Sequence, residues 1–158
     1  MNTATTPVGT MEVALVAAAG GAGPGPSRRR IRVVVADDTP VELHGLRLFL
    51  KRRPDVEIVG SAANGEEALR CVEALQPDLL LTDLEMPILD GLEATRQVRS
   101  RFPNTRVVIT SSHEDKSWRD VSLLSGADEF VTKRDLAACW SPLMSRLFAE
   151  GQLHEPGW

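Results

Sequence analysis

Ile31-Arg32-Val33-Val34-Val35-Ala36-Asp37-Asp38 is a short β-branched run that stops on two acids, and Leu79-Leu80-Leu81-Thr82-Asp83 repeats the design with one. A continuous apolar run of this length fits a central strand covered on both faces. An acid at the carboxyl end of such a strand stands where an open parallel sheet gathers its site residues. A third run, Phe130-Val131-Thr132, ends on Lys133. If these strands are neighbours, three carboxylates and one ammonium meet in one crevice.

Working outward, the chain from Ile31 alternates strand-like and helix-like segments five times. Strands are expected at Ile31 to Ala36, Val56 to Ala62, Leu79 to Thr82, Arg106 to Thr110 and Phe130 to Thr132. The first helix is expected over Val41 to Lys51, with Val41, Leu43, Leu46, Leu48 and Leu50 as its apolar positions, ending before Pro54. Asn64-Gly65-Glu66-Glu67 reads as an N-cap with an acid three residues on, opening a helix to Leu75. Further helices are expected over Leu92 to Phe102 and Asp115 to Leu124, the latter closed by Gly126 as C′ residue. Pro142 would break a helix begun at Leu136, whereas Ser141-Pro142 suits an N-cap and first turn for one running to Ala149. Alternation of this kind implies parallel strands joined by right-handed helical crossovers, hence an α/β, doubly wound sheet.

The chain of 158 residues, 42% hydrophobic and 25% charged, suits one well-buried core. Its net charge of −4 argues against direct binding of nucleic acid, whose phosphates call for clustered Lys and Arg. Cys71 and Cys139 lack metal-ligand spacing and read as reduced core thiols, consistent with the cytoplasm. Residues 1–30 read as an Ala/Gly/Pro-rich tail unable to offset the entropy of ordering, residues 31–150 as the folded unit and residues 151–158 as a short C-terminal tail. Met11 to Ala19 is too short to span a bilayer, contains Glu12, and precedes Arg28-Arg29-Arg30, the reverse of secretory charge order. No membrane association is expected.

Two carboxylates about 4 Å apart repel by about 4 kcal/mol at an effective dielectric near 20, so three together need a cation or a raised pKa. Mg²⁺ answers this, being a hard ion that takes carboxylate and phosphate oxygens. A carboxylate at a strand end is also a workable nucleophile toward a phosphoryl group. Lys133 would neutralise phosphoryl oxygens and the Ser111 hydroxyl would hydrogen-bond one of them. Asp37-Asp38 could instead cap the next helix, but Thr39-Pro40 is available for that.

Thr82-Asp83-Leu84-Glu85-Met86-Pro87-Ile88-Leu89-Asp90-Gly91 closely resembles the phosphoacceptor segment of response-regulator receiver domains. Ala36-Asp37-Asp38, Ser111 after a Val-Val-Ile strand, Gly126-Ala127-Asp128, Phe130 and Lys133 agree in order and spacing, so the resemblance covers about Ile31 to Ala149. Pro54 to Gly60 and Gly91 to Thr95 are most like receivers usually followed by a helix-turn-helix DNA-binding module. The resemblance implies a flavodoxin-like fold with five parallel strands in order 2-1-3-4-5. It implies Asp83 as phosphoacceptor, Asp38 as a direct Mg²⁺ ligand, Asp37 acting partly through water, and the Glu85 backbone carbonyl as a further ligand. Ser111 and Phe130 would form the switch; Ser111 is preferred over Thr110 and Ser112 by its spacing to Lys133. Glu85 and His113 occupy the positions that modulate acyl-phosphate lifetime in the family, although His113 by itself reads as a solvent-facing loop residue.

The implied partners are a sensor histidine kinase as phosphodonor and a protein reached through the face of the fourth helix, fifth strand and fifth helix, with homodimerisation on phosphorylation as a further outcome. Trp118 and Trp140 could anchor such a partner or pack internally. Arg134 replaces the Pro common after the Lys, so no cis bond is implied there. Only Gly151 to Trp158 follow Ala149, and a stand-alone receiver that catalyses nothing beyond its own phosphorylation and dephosphorylation is expected. The alternatives are a phosphorelay intermediate or phosphate sink, and a transcription regulator that lost its output module. A magnesium-dependent phosphatase would place a D-x-D pair on the first strand, which is absent.

Overall fold

The computed structural model of the protein describes residues 29–149, so the two tails, apart from Arg29 and Arg30, lie outside the described residues. Five parallel strands, β1 (Ile31–Ala36), β2 (Val56–Ala62), β3 (Leu79–Asp83), β4 (Arg106–Ser111) and β5 (Glu129–Thr132), form one sheet in the order β2-β1-β3-β4-β5. Between and after them run α1 (Pro40–Lys51), α2 (Gly65–Leu75), α3 (Gly91–Arg101), α4 (Lys116–Leu124) and α5 (Leu136–Leu147).

Side chains alternate across a strand, so each run feeds two cores. Val33, Val35, Leu79, Leu81, Val108 and Val131 pack with α1 and α5 through Leu50, Leu136, Trp140, Leu143 and Leu147. Val34, Ala36, Leu80, Val107 and Ile109 face α2, α3 and α4 through Ala68, Val72, Val98 and Trp118. Full burial of such an aliphatic side chain contributes about 1.5–3 kcal/mol, and Leu79, Leu80 and Leu81 are all at 0% exposure. The run therefore needs helices on both sides.

Local signals set most of the boundaries. The Asn64 side chain accepts from the Glu67 amide (2.9 Å) while the Glu67 carboxylate accepts from the Ala63 amide (2.9 Å), a reciprocal cap one residue out of the usual frame. Asp90 and Asp115 cap α3 and α4 in one direction, their side chains accepting from the Glu93 (2.8 Å) and Ser117 (2.9 Å) amides. Gly126 takes φ +106° after α4, a conformation that costs other residues energy.

Several expectations need correction. The last helix does not start at Ser141-Pro142; α5 begins at Leu136 and carries Pro142 inside it. Leu136, Trp140, Leu143, Met144 and Leu147 make one buried stripe that runs across the proline, and that burial outweighs one missing N–H. In α1, Val41 (80% exposed) and Leu48 (47%) point outward, and Phe49 joins Leu43 and Leu46 against the core instead. Cys139 is exposed and no core thiol, while Cys71 is half-buried with its thiol pKa raised by burial and then by Glu67. Trp140 is fully packed, edge-on to Phe49 at 5.7 Å between ring centres, and so cannot anchor a partner.

Candidate functional site

The sheet delivers its acids to one end. β1 runs out at Ala36, and the next residue, Asp37, is fixed by its amide donating to Ala62 (3.0 Å) and by its carboxylate accepting from the Thr39 amide (3.0 Å). Asp83 ends β3, opposite Thr110 of β4. The Lys133 amide donates to the Ser111 carbonyl (2.8 Å), which carries the pairing of β4 and β5 one residue further and turns the Lys side chain over the same end. Gly91 lets α3 start beside the acceptor: a Cβ there would lie 2.2 Å from the Asp83 carbonyl oxygen.

Asp37 and Asp83 are 3% and 7% exposed, and the Lys133 ammonium bridges them at 2.9 Å and 3.4 Å. Burial raises the Asp83 pKa to about 6; Lys133 pulls it down and Asp37 pushes it up, and burial prevails. The Lys133 pKa is raised: burial opposes its charge, but hydrogen bonds to Glu42 and Asp37 and the charge of Asp83 outweigh that penalty.

Glu42, in the first turn of α1, is the residue that sequence reasoning missed. Its carboxylate pairs with Lys133, and one oxygen each from Asp37, Glu42 and Asp83 lie within 4.8 Å of one another. As one acid among the polar positions of an amphipathic helix it gave no signal. Asp38, by contrast, is exposed and does not join that trio. Asp37 and Asp83, two carboxylates buried together, with Asp38 next in the chain, offer the oxygen donors that a hard divalent cation such as Mg²⁺ takes, so the residues present fit the ion. A cleft of about 300 Å³, lined by Glu42, Leu46, Phe49, Lys133 and Leu136, opens beside it between α1 and α5.

Ser111 is buried and its Oγ accepts from the His113 amide (3.0 Å), whereas the Thr110 hydroxyl is spent on the Thr82 carbonyl (3.3 Å). Phe130 is buried in the α2/α3/α4 core. Glu85 and His113, both exposed, meet across the mouth of the site at 3.2 Å, and the His113 ring lies against Trp118.

A sequence model of the response regulator receiver domain matches residues 33–138. The chain belongs to that family. The receiver is 40% identical over 103 residues to the transcriptional regulatory protein YhcZ of Bacillus subtilis, covering 65% of this chain and 48% of that protein. It is 42% identical over 106 residues to protein-glutamate methylesterase/protein-glutamine glutaminase 3 of Geobacter sulfurreducens, covering 66% of this chain and 28% of that protein. The chain thus spans half or less of these two relatives, which are named for unlike activities. Among solved structures, the signal receiver domain of the response regulator NarL from Mycobacterium tuberculosis superposes with a TM-score of 0.71 at 32% identity, covering 75% of this chain and 97% of that one. The response regulator domain of Thermotoga maritima CheB gives 0.67 at 30% identity, covering 81% and 100%. Among the described residues no helix is long and apolar enough to cross a membrane.

Proposed function

We propose that this receiver takes a phosphoryl group onto Asp83 from the phosphohistidine of a sensor histidine kinase in the cytoplasm and passes the signal on by protein contact. The observation that carries this is the convergence of Asp37, Asp83 and Lys133 at the ends of three strands, with the acceptor buried and one cation already on it. An Asp83 oxygen attacks phosphorus, the P–N bond breaks, and imidazole leaves, forming an acyl phosphate. Asp38, Asp37, Asp83 and the Glu85 carbonyl are the residues that would hold Mg²⁺, which when bound neutralises carboxylate and phosphoryl oxygens. Lys133 takes one phosphoryl oxygen as a point charge and Ser111 donates its hydroxyl to another.

Ser111 and Phe130 then set the output. The Ser111 hydroxyl turning toward the phosphoryl group leaves space behind it, and Phe130, on the adjacent strand, moves to fill it. Phe130 also lines a cleft of about 470 Å³ between α4, β5 and α5, with Arg119, Leu143 and Arg146 around it. A shift of that ring alters the cleft, which makes this face the surface a partner reads. Glu85 and His113 at the mouth control access of water to the acyl phosphate.

Incubation with Mg²⁺ and acetyl phosphate should add one phosphoryl mass to the intact protein, and Asp83→Asn should abolish it. Equal uptake by the variant rules out Asp83 as the acceptor.

A further inference from the structure

Glu42 belongs to a surface helix, not to the strand ends that carry the rest of the site, yet it holds the same ammonium. A Lys ammonium has three donors, and here its three carboxylate partners are Asp37 at 2.9 Å, Asp83 at 3.4 Å and Glu42. A phosphoryl group joined to Asp83 needs one of those donors. Asp37 is buried with its carboxylate tied to the Thr39 amide, and Asp83 is the acceptor itself. Glu42, with its side chain 41% exposed at the start of α1, is the partner able to swing into water.

We propose that Glu42 is a positioning residue that holds Lys133 in the resting site and must release it to the phosphoryl group, so that it restrains phosphorylation; this rests on Asp83 being the acceptor. Three acidic groups with ligand oxygens within 4.8 Å of one another face a single ammonium, and an arriving phosphoryl anion adds to that negative charge. Removing the Glu42 charge lessens the repulsion and frees a donor at once. The opposite role, Glu42 as a metal ligand, predicts opposite changes.

The test uses Glu42→Gln, which keeps size and loses charge, and Glu42→Asp, which shortens the reach to Lys133. Phosphoryl uptake from acetyl phosphate at saturating Mg²⁺ is followed by intact mass, affinity for the phosphoryl analogue beryllium trifluoride by titration, and the Mg²⁺ Kd by calorimetry. Glu42→Gln should raise both the uptake rate and the analogue affinity about fivefold, with Glu42→Asp in the same direction and the Mg²⁺ Kd changed by less than about threefold. In a Lys133→Met background most of the gain in analogue affinity should vanish. A tenfold weaker Mg²⁺ Kd with slower uptake would make Glu42 a ligand and overturn the inference, as would unchanged uptake and affinity, or a full gain persisting without Lys133. If the wild-type protein takes no phosphoryl group on Asp83, the functional reading fails together with the inference; if it does and Glu42→Gln matches it, the inference alone fails.

Discussion

Asp83 carries a cost that pH can expose. Its carboxyl pKa is about 6 in the fold against 3.8 for an ordinary Asp, because burial outweighs the attraction of Lys133. The folded state therefore binds this proton more tightly than the unfolded state, and the stability it confers is complete below about pH 4 and lost as pH rises through 6. The amount is about 2–3 kcal/mol. Glu93 and Asp115 run the other way: hydrogen bonds, from Arg96 and Gln97 and from Ser117 respectively, lower their pKa values, so their contribution is lost as pH falls. Comparing Asp83→Asn with the wild type in urea, without Mg²⁺, removes those background effects. The variant's advantage should grow by about 2 kcal/mol between pH 4 and pH 7; a gap that stays constant means the carboxyl titrates normally. At this scale the sequence was readable wherever a residue ends a strand, as Asp37, Asp83 and Lys133 do. Glu42 was not, because its place depends on how α1 lies across the strand ends, and helix periodicity records only which face is buried.

The helices show what periodicity resolves and where a single residue misleads. The cap at Asn64 and the C′ glycine at Gly126 act within a few residues of themselves, so they could be read without knowing the fold. Pro142 misled because its local penalty is genuine and the opposing term is spread over Leu136, Trp140, Leu143, Met144 and Leu147 on the far side of a sheet. The penalty should still be measurable. Pro142 lacks the N–H that would bond to the Ala138 carbonyl, so Pro142→Ala restores a helical donor and relieves the ring's clash with the preceding turn. Part of that gain is returned because the unfolded chain becomes freer. The net should be a stabilisation of about 1–2 kcal/mol by urea unfolding with an unchanged m-value. Loss of stability would mean that the proline ring itself packs in the α4-β5-α5 cleft it lines.

For the molecule as a whole, fold and function pull against each other through the same side chains. Leu79, Leu80 and Leu81 show that β3 is central, and the alternation of segments makes the sheet parallel, so the doubly wound class was legible from burial needs, whereas the strand order came from the family resemblance. The consequence of this architecture is that the strand ends crowd Asp37, Asp83 and Glu42 around one Lys, a charge arrangement that burial makes unfavourable. A ligand that binds only the folded state returns stability by mass action. At a Mg²⁺ concentration ten times its Kd the gain is about 1.4 kcal/mol, which for a unit of this size raises Tm by about 5 °C. The double variant Asp37→Asn/Asp83→Asn should melt higher than the wild type without the ion and lose the response to it, because the repulsion and the ligands disappear together. Calorimetric melts of both proteins at pH 7.5, with Mg²⁺ and with a chelator, decide this. A variant that still gains about 5 °C from Mg²⁺ places the ion elsewhere, and one that melts lower than the metal-free wild type shows that the Lys133 bridges outweigh the repulsion between the acids they join.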